Sequence, residues 1–218
     1  QILAPLAAGA TLCLFDPRKH SIEELAAWIE SSGITTLQTV PSLFRALALQ
    51  TRGQKLAGLR AVKLGGESVT AADARLFEGL AAKDAVLING LGLTEAGFNV
   101  CWHTFRPGDS LEGPFLPIGR PPKGVEIVIE SPPGCPVGDG ERGEIVVRSP
   151  DLPNGYWNDE SRTARTYRDI PSRPFVRELR TGDEGVWSPG FGLTHLGRLD
   201  DLIKVRGHRV DPAAVEAV

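Results

Sequence analysis

The chain has 218 residues and a formal net charge of -3. That length can bury a sound core in one or two domains, and that charge gives no electrostatic case for nucleic acid or an anionic membrane as partner. No apolar run approaches the ~20 residues of a membrane span, no charged leader opens the chain, and three sparse cysteines (Cys13, Cys101, Cys135) fit a reducing cytoplasm better than a disulfide framework.

In chain order, Leu12 to Phe15 reads as a strand, with Cys13 as a small core residue. Ser21 to Ser32 reads as a helix. Ser21 and Glu24 form a capping box, Ile22, Leu25, Ala26 and Ile29 line one face, and Gly33 suits the C-terminal cap. Ile34 to Thr39 is β-branched and strand-like, and Pro41 opens a helix through Leu49. Ala61 to Leu64 predicts a strand, Thr70 to Leu80 a helix, and Ala85 to Ile88 a buried strand. Strands alternating with helices imply an α/β fold with a mostly parallel sheet, covered on both faces by flanking helices.

The character changes near Pro114. Seven prolines between Pro114 and Pro136 break helices. Short strands are predicted at Val125 to Glu130, Glu144 to Arg148, Glu184 to Trp187 and Leu193 to Leu196, and a short helix within Asn158 to Tyr167. This reads as a small β-rich unit, sheet or barrel-like. Pro212 to Val218 reads as the beginning of a further helix.

The richest segment chemically is Asn89-Gly90-Leu91-Gly92-Leu93-Thr94-Glu95. Two glycines after a strand allow a tight turn and a close approach to a ligand. Thr94 can donate to a phosphoryl oxygen, and Glu95 can hold Mg²⁺, a hard cation that prefers oxygen ligands. A Gly-rich turn can also simply connect elements. His20, His103, His195 and His208 show no metal-ligand spacing, so no zinc site is expected.

Three further segments extend this one: Leu59 to Glu67, with Gly65-Gly66-Glu67; Leu179-Arg180-Thr181-Gly182-Asp183; and Gly197-Arg198-Leu199-Asp200 through Arg209. Together with Gly143 to Val147 and Asn154-Gly155-Tyr156-Trp157, their order resembles the adenylate-forming superfamily. That superfamily comprises nonribosomal peptide synthetase adenylation domains, acyl-CoA synthetases and luciferases. The resemblance covers essentially the whole chain and is nearest to the peptide-synthetase members.

The resemblance implies that ATP activates a carboxylic or amino acid, giving an acyl- or aminoacyl-AMP and pyrophosphate. Thr94 would bind the α-phosphate and Glu95 the Mg²⁺. Gly65, Gly66 and Glu67 would lie along the adenine. Asp183 would accept hydrogen bonds from the ribose, or serve only as a turn residue. Arg198 would contact ribose or phosphates, or form a surface ion pair. The superfamily usually places an aromatic residue where this chain has Leu91, and a small residue or proline where it has Leu93. Leu91 would cover the base by apolar contact without stacking.

By position, the substrate pocket would contain Gln38, Lys63, Gly65, Gly90, Phe98 and Asn99. Lys63 would meet an acidic or polar substrate group, or point away. Asp200 aligns with a hinge, and Gly207 and Arg209 with the loop that meets phosphopantetheine or nucleotide. The implied partition is 1–118 for the α/β subdomain, 119–199 for the β-rich subdomain, and 200–218 for the hinge and start of a C-terminal lid. A lysine-bearing phosphate loop is expected before Gln1 and a lid lysine after Val218, so the segment alone is not expected to turn over. The acyl acceptor would be the phosphopantetheine thiol of a carrier protein. The alternatives are CoA as acceptor, or a degenerate, non-catalytic module.

Overall fold

The computed structural model describes residues 3–51, 53–111, 113–199 and the backbone of 203–205 and 208–210. After a short helix α1 (Leu3–Ala7), the first half runs α2 (Ile22–Ser31), β1 (Thr36–Thr39), α3 (Pro41–Gln50), β2 (Ala61–Leu64), α4 (Ala71–Leu80), β3 (Val86–Leu93) and β4 (Phe98–Phe105). The strands form one sheet in the order β1-β2-β3-β4. The first two pairings are parallel and the last antiparallel.

The helices begin where the caps dictate. Glu24 N donates to Ser21 Oγ at 3.2 Å, and Ser21 N donates to Glu24 Oε2 at 2.6 Å. Val40 offers α3 no capping side chain. The carboxylate of Glu67 takes that role from 25 residues away, accepting from Ser42 N and Ser42 Oγ, both at 2.9 Å. Arg45 of α3 clamps the buried Asp73 of α4 in a fork, at 2.6 and 2.8 Å.

The described helices cover one face of this sheet, not the two expected from their alternation with strands. Leu25, Ile29, Phe44, Leu47, Phe77 and Leu80 pack in one cluster with Leu37, Val62, Leu64 and Leu87. The strand order explains this. The sheet grows in one direction from β1 to β3, and crossovers of the same right hand place successive helices on the same side. The opposite face carries Gln38, Lys63, Ile88 and Thr104, which are neighbours in register, and all are half-buried or exposed.

Two local expectations are corrected. Leu12 to Phe15 forms no strand: Leu14 is 78% exposed and Cys13 is exposed, not a core residue. A lone apolar run becomes a strand only where it shares hydrogen bonds with a sheet edge, and among the described residues β1 pairs with β2 alone. Second, the chain does not turn at Gly90 or Gly92. β3 continues through both glycines to Leu93, with a register shift at Leu91/Gly92.

The second half contains β5 (Glu126–Glu130), β6 (Arg142–Ser149), α5 (Glu160–Thr166), β7 (Tyr167–Asp169), β8 (Arg177–Ser188) and β9 (Gly192–Arg198). The sheet order is β5-β6-β8-β7, and the far end of β8 pairs with β9. All pairings are antiparallel. A ladder of charge crosses one face. Arg148 meets Glu178 at 2.9 Å and Glu126 at 3.3 Å, while Arg180 meets Glu130 at 2.9 Å and also pairs with Glu144. A second apolar cluster lies beneath, built from Ile129, Ile145, Val147, Leu179 and Leu193 with Leu91, Val100 and Cys101 of β3 and β4. Burial pushes the Cys101 thiol up to about 12. β10 (Ile203–Val205) and β11 (His208–Val210) form a separate antiparallel pair.

The two sheets are stitched by residues 118–120. Ile118 N donates to Leu193 O at 2.7 Å, and Leu193 N donates to Gly119 O at 2.8 Å. Arg120 bridges to Trp102 of β4. Gly119 has φ +82°, and a Cβ there would lie 2.8 Å from His103 Cβ, so only glycine permits this approach.

Candidate active site

The hydroxyl and carboxylate singled out in the sequence sit on a hairpin tip. β3 ends at Leu93, residues 94–97 turn, and β4 begins at Phe98. Gly97 N bonds to Thr94 O at 3.1 Å and to Leu93 O at 3.0 Å, which fixes the turn. Gly92 permits a close approach within the protein, since a Cβ there would lie 2.9 Å from Asn99 Oδ1.

Glu95 is oriented by two tyrosines from the second half of the chain. Tyr156 donates to Glu95 Oε1 at 3.1 Å, and Tyr167 donates to Glu95 O at 2.6 Å. Burial, then the nearby Glu95 charge, holds the Tyr156 hydroxyl above its ordinary pKa, so it remains a donor at neutral pH. The Arg162 guanidinium lies 4.0 Å over the Tyr156 ring centroid, and its Nη2 is 4.0 Å from Glu95 Oε1.

Asp183 and Arg198 are cross-strand partners on β8 and β9. Arg198 Nη1 donates to Asp183 Oδ1 at 3.0 Å and to Thr181 O at 2.9 Å. Asp183 is fully buried, and its N–H is held by Thr181 Oγ1 at 3.0 Å. His195 Nε2 lies 3.4 Å from Asp183 Oδ1, within ion-pair range but without hydrogen-bond geometry.

Two adjoining clefts meet around these groups. The first, of ≈ 210 Å³, runs from Gly66, Glu67 and Val69 past Asn89, Gly90 and Leu91 to Leu116, Ile118 and His195. The second, of ≈ 460 Å³, holds Thr94, Glu95, Tyr156, Thr181 and Asp183. Gly66, Gly92 and Arg198 line both. Asn89 anchors the wall between the halves, donating to the carbonyls of Leu116 at 3.0 Å and Pro117 at 3.1 Å. One carboxylate on a turn beside an anion-sized cleft suits Mg²⁺, which takes one or two carboxylates and completes its shell with phosphate and water oxygens. Among the described residues no group of three or more His, Cys, Asp or Glu could form an all-protein metal cage.

The structure thus brings Thr94, Glu95, Asp183 and Arg198 into one cleft, and Gly66, Glu67, Gly90 and Leu91 into the other. Leu91 is 7% exposed, packed into the second core cluster while lining the cleft. The Glu67 carboxylate is occupied at α3. Gly65, Gln38, Lys63, Phe98 and Asn99 line neither cleft. Gln38 and Lys63 sit on the sheet face opposite the described helices, where Lys63 Cε lies 3.6 Å from a Cβ built on Gly90. Lys63 makes no ion pair with a described residue, and burial lowers its pKa. Phe98 packs on the second core, and Asn99 abuts Gly92. Asp200 and Gly207 lie outside the described residues, and Arg209 is placed by backbone alone, on β11.

Sequence reasoning missed His195, Arg162 and Arg165 as lining residues, and the Tyr156 contact with Glu95. The aromatic spacing of Tyr156 and Tyr167 carries no local signal of that contact, because both reach Glu95 across more than 60 residues of chain.

Fold and site define an α/β chain in which two sheets enclose an ionic cleft at their junction. The profile of the family described as AMP-binding enzyme matches residues 1–157, and the chain belongs to that family. It is 32% identical over 216 residues to tyrocidine synthase 3 of Brevibacillus parabrevis, covering 98% of this chain and 3% of that protein. It matches the structure of holo-PA1221, a nonribosomal peptide synthetase protein containing adenylation and PCP domains bound to a vinylsulfonamide inhibitor. That match has TM-score 0.79 and 29% identity, covering 94% of this chain and 35% of that one. It also matches o-succinylbenzoate CoA synthetase of Bacillus subtilis bound to a product analogue, at TM-score 0.79 and 25% identity, covering 98% and 40%. The chain therefore spans well under half the length of these relatives. No helix among the described residues is long and apolar enough to cross a membrane.

Proposed function

We propose that this chain is the nucleotide-binding part of an adenylation enzyme of the nonribosomal peptide synthetase type. The enzyme joins a carboxylic or amino acid to the α-phosphate of ATP and releases pyrophosphate. The acyl group then passes to the phosphopantetheine thiol of a carrier protein. The observation that carries the reading is the convergence of Thr94, Glu95, Asp183 and Arg198, from separate segments, on one cleft that adjoins a smaller one lined in part by Val69, Leu91, Leu116 and Ile118.

In this reading the first cleft takes the base. Gly66 presents backbone along it, with Gly65 just behind, the main chain of Glu67 extends that wall, and Leu91 covers it by apolar contact. Asp183 accepts from the ribose hydroxyls, with Arg198 holding its charge in place. Thr94 donates to an α-phosphoryl oxygen, and Glu95 holds Mg²⁺. The metal, when bound, neutralises phosphate charge that otherwise repels an incoming carboxylate. Both reactants are anionic, so the protein's part is to position them in line and to balance charge. Gln38, Lys63, Gly90, Phe98 and Asn99 form the acid pocket. There Lys63, with no ion pair among the described residues, favours an acid bearing an acidic or polar group. Asp200 acts as the hinge, and Gly207 and Arg209 meet the acceptor arm. The functional parts are 1–118, 119–199 and 200–218, in a cytoplasmic protein.

The similarity to a CoA synthetase favours a second reading, with CoA as acceptor. ATP–pyrophosphate exchange by the full-length protein across a panel of acids tests the shared first half-reaction. Exchange dependent on one class of acid is expected. No exchange with any acid would sink the reading and favour a non-catalytic module.

A further inference from the structure

The second cleft is lined by four arginines against three carboxylates, Glu95, Glu144 and Asp183. Two of the arginines are committed to the protein. Arg180 pairs with Glu130 and Glu144, and Arg198 with Asp183 and Thr181 O. The other two sit on α5. Arg162 and Arg165 are three residues apart, hence on one helix face, and both are solvent-exposed. Arg165 makes no side-chain hydrogen bond or ion pair with any described residue. Arg162 has only the 4.0 Å approach to Glu95 and its stack on Tyr156.

We infer that Arg162 and Arg165 form the subsite for the pyrophosphoryl end of ATP. This rests on the adenylation reading above and extends it to residues outside the motifs that define that reading. The stack on Tyr156 holds the Arg162 fork beside Glu95, where metal-bound phosphate oxygens must lie if Glu95 is the metal ligand. A guanidinium matches phosphate oxygens in bidentate geometry, and Arg165, with no ion pair among the described residues, gives up none on engaging them, while Arg162 gives up only its 4.0 Å approach to Glu95. Without a nucleotide, Arg162 offsets the Glu95 charge and disfavours a bare cation there. The polyanion removes that conflict by drawing the guanidinium to itself. In the reaction a substrate carboxylate oxygen forms its bond to the α-phosphorus as the bond from α-phosphorus to the bridging oxygen breaks. The electron pair leaves on pyrophosphate, where the two guanidiniums balance it.

The test uses the full-length protein with Arg162→Ala, Arg165→Ala, the double variant and Arg162→Lys. Calorimetry measures binding of inorganic pyrophosphate with Mg²⁺, of AMP, and of CoA, and circular dichroism confirms the fold. Each alanine should weaken pyrophosphate about tenfold and the pair about 100-fold, as expected for lost hydrogen bonds between charged groups. AMP affinity should stay within about twofold, since AMP lacks the contacted group. Lysine should restore part of the loss, keeping charge but not the fork. Unchanged pyrophosphate affinity in the double variant, with AMP still bound, would overturn the subsite and leave the adenylation reading standing. Loss of CoA affinity in place of pyrophosphate affinity would assign the arginines to the acceptor and overturn it equally. Failure of the wild type to bind either AMP or pyrophosphate would overturn both.

Discussion

The two clefts share Gly66, Gly92 and Arg198 and yet are built from different materials. The smaller is walled by backbone and by Val69, Leu91, Leu116 and Ile118, with Asn89, His195 and Arg198 at its polar side. The larger is walled by four guanidiniums, three carboxylates and the hydroxyls of Thr94, Tyr156, Thr166 and Thr181. A flat apolar base is recognised by shape and area, whereas phosphate is recognised by charge and directed donors. The contrast follows from where each cleft sits. The first lies against the two apolar clusters. The second lies over the antiparallel sheet, whose face already carries a charge ladder.

Disrupting the charged side should cost most. Glu95→Gln keeps the shape and the Tyr156 contact but removes the charge proposed to hold the metal, so pyrophosphate exchange should fall on the order of 100-fold. Thermal unfolding should barely move. Exchange near wild type at limiting Mg²⁺ would remove Glu95 from the metal site.

Disrupting the apolar side should cost stability as well as binding. Leu91→Ala deletes a side chain that is 7% exposed and packs into the second cluster. The loss should be about 2–3 kcal/mol in urea unfolding, with AMP and ATP weakened alike. A variant as stable as wild type would mean that Leu91 is not a core residue. Weakening of ATP but not of AMP would place it at the phosphates instead of the base.

Raising ionic strength should separate the clefts without mutation. ATP affinity should fall several-fold between low and physiological salt, and adenosine affinity hardly at all, because exposed charges are screened and apolar contacts are not. Equal loss for both ligands would deny the division.

The smallest effect concerns Lys63, outside both clefts. Burial holds its pKa below the ordinary 10.5. Between the lowered folded value and 10.5 the unfolded chain binds more protons than the folded one, so stability rises with pH across that window. Lys63→Met should flatten that rise, which chemical denaturation at a series of alkaline pH values would show. An identical pH profile would mean that Lys63 is fully hydrated. The same variant should lose preference for acidic or polar acids in the exchange panel.

The sequence made legible what local rules govern. The Ser21–Glu24 capping box, the Pro41 helix start and the Ala61–Leu64 strand each follow from residues within one turn or one pleat. Thr94, Glu95, Asp183 and Arg198 were legible as one cleft because their segments form an ordered set, not because any one of them is distinctive. What escaped was set at long range. Glu67 caps a helix 25 residues upstream, Tyr156 and Tyr167 orient Glu95 across the junction, and β4 (Phe98–Phe105) arises by pairing back onto β3. The Leu12 to Phe15 run failed as a strand for the complementary reason. Its pattern is right, but it pairs with no described strand.

In the proposed site Asp183 sits in the larger cleft at the ribose, paired with Arg198, which lines both clefts. Calorimetric titration of AMP into the full-length wild type and Asp183→Asn, with the fold of each checked by circular dichroism, tests this most directly. Wild type should bind AMP, and the variant should bind at least about tenfold more weakly while remaining folded, since a charged acceptor for vicinal hydroxyls becomes a neutral amide beside Arg198. Equal AMP affinity in the two folded proteins would contradict the claim that these clefts form one nucleotide site.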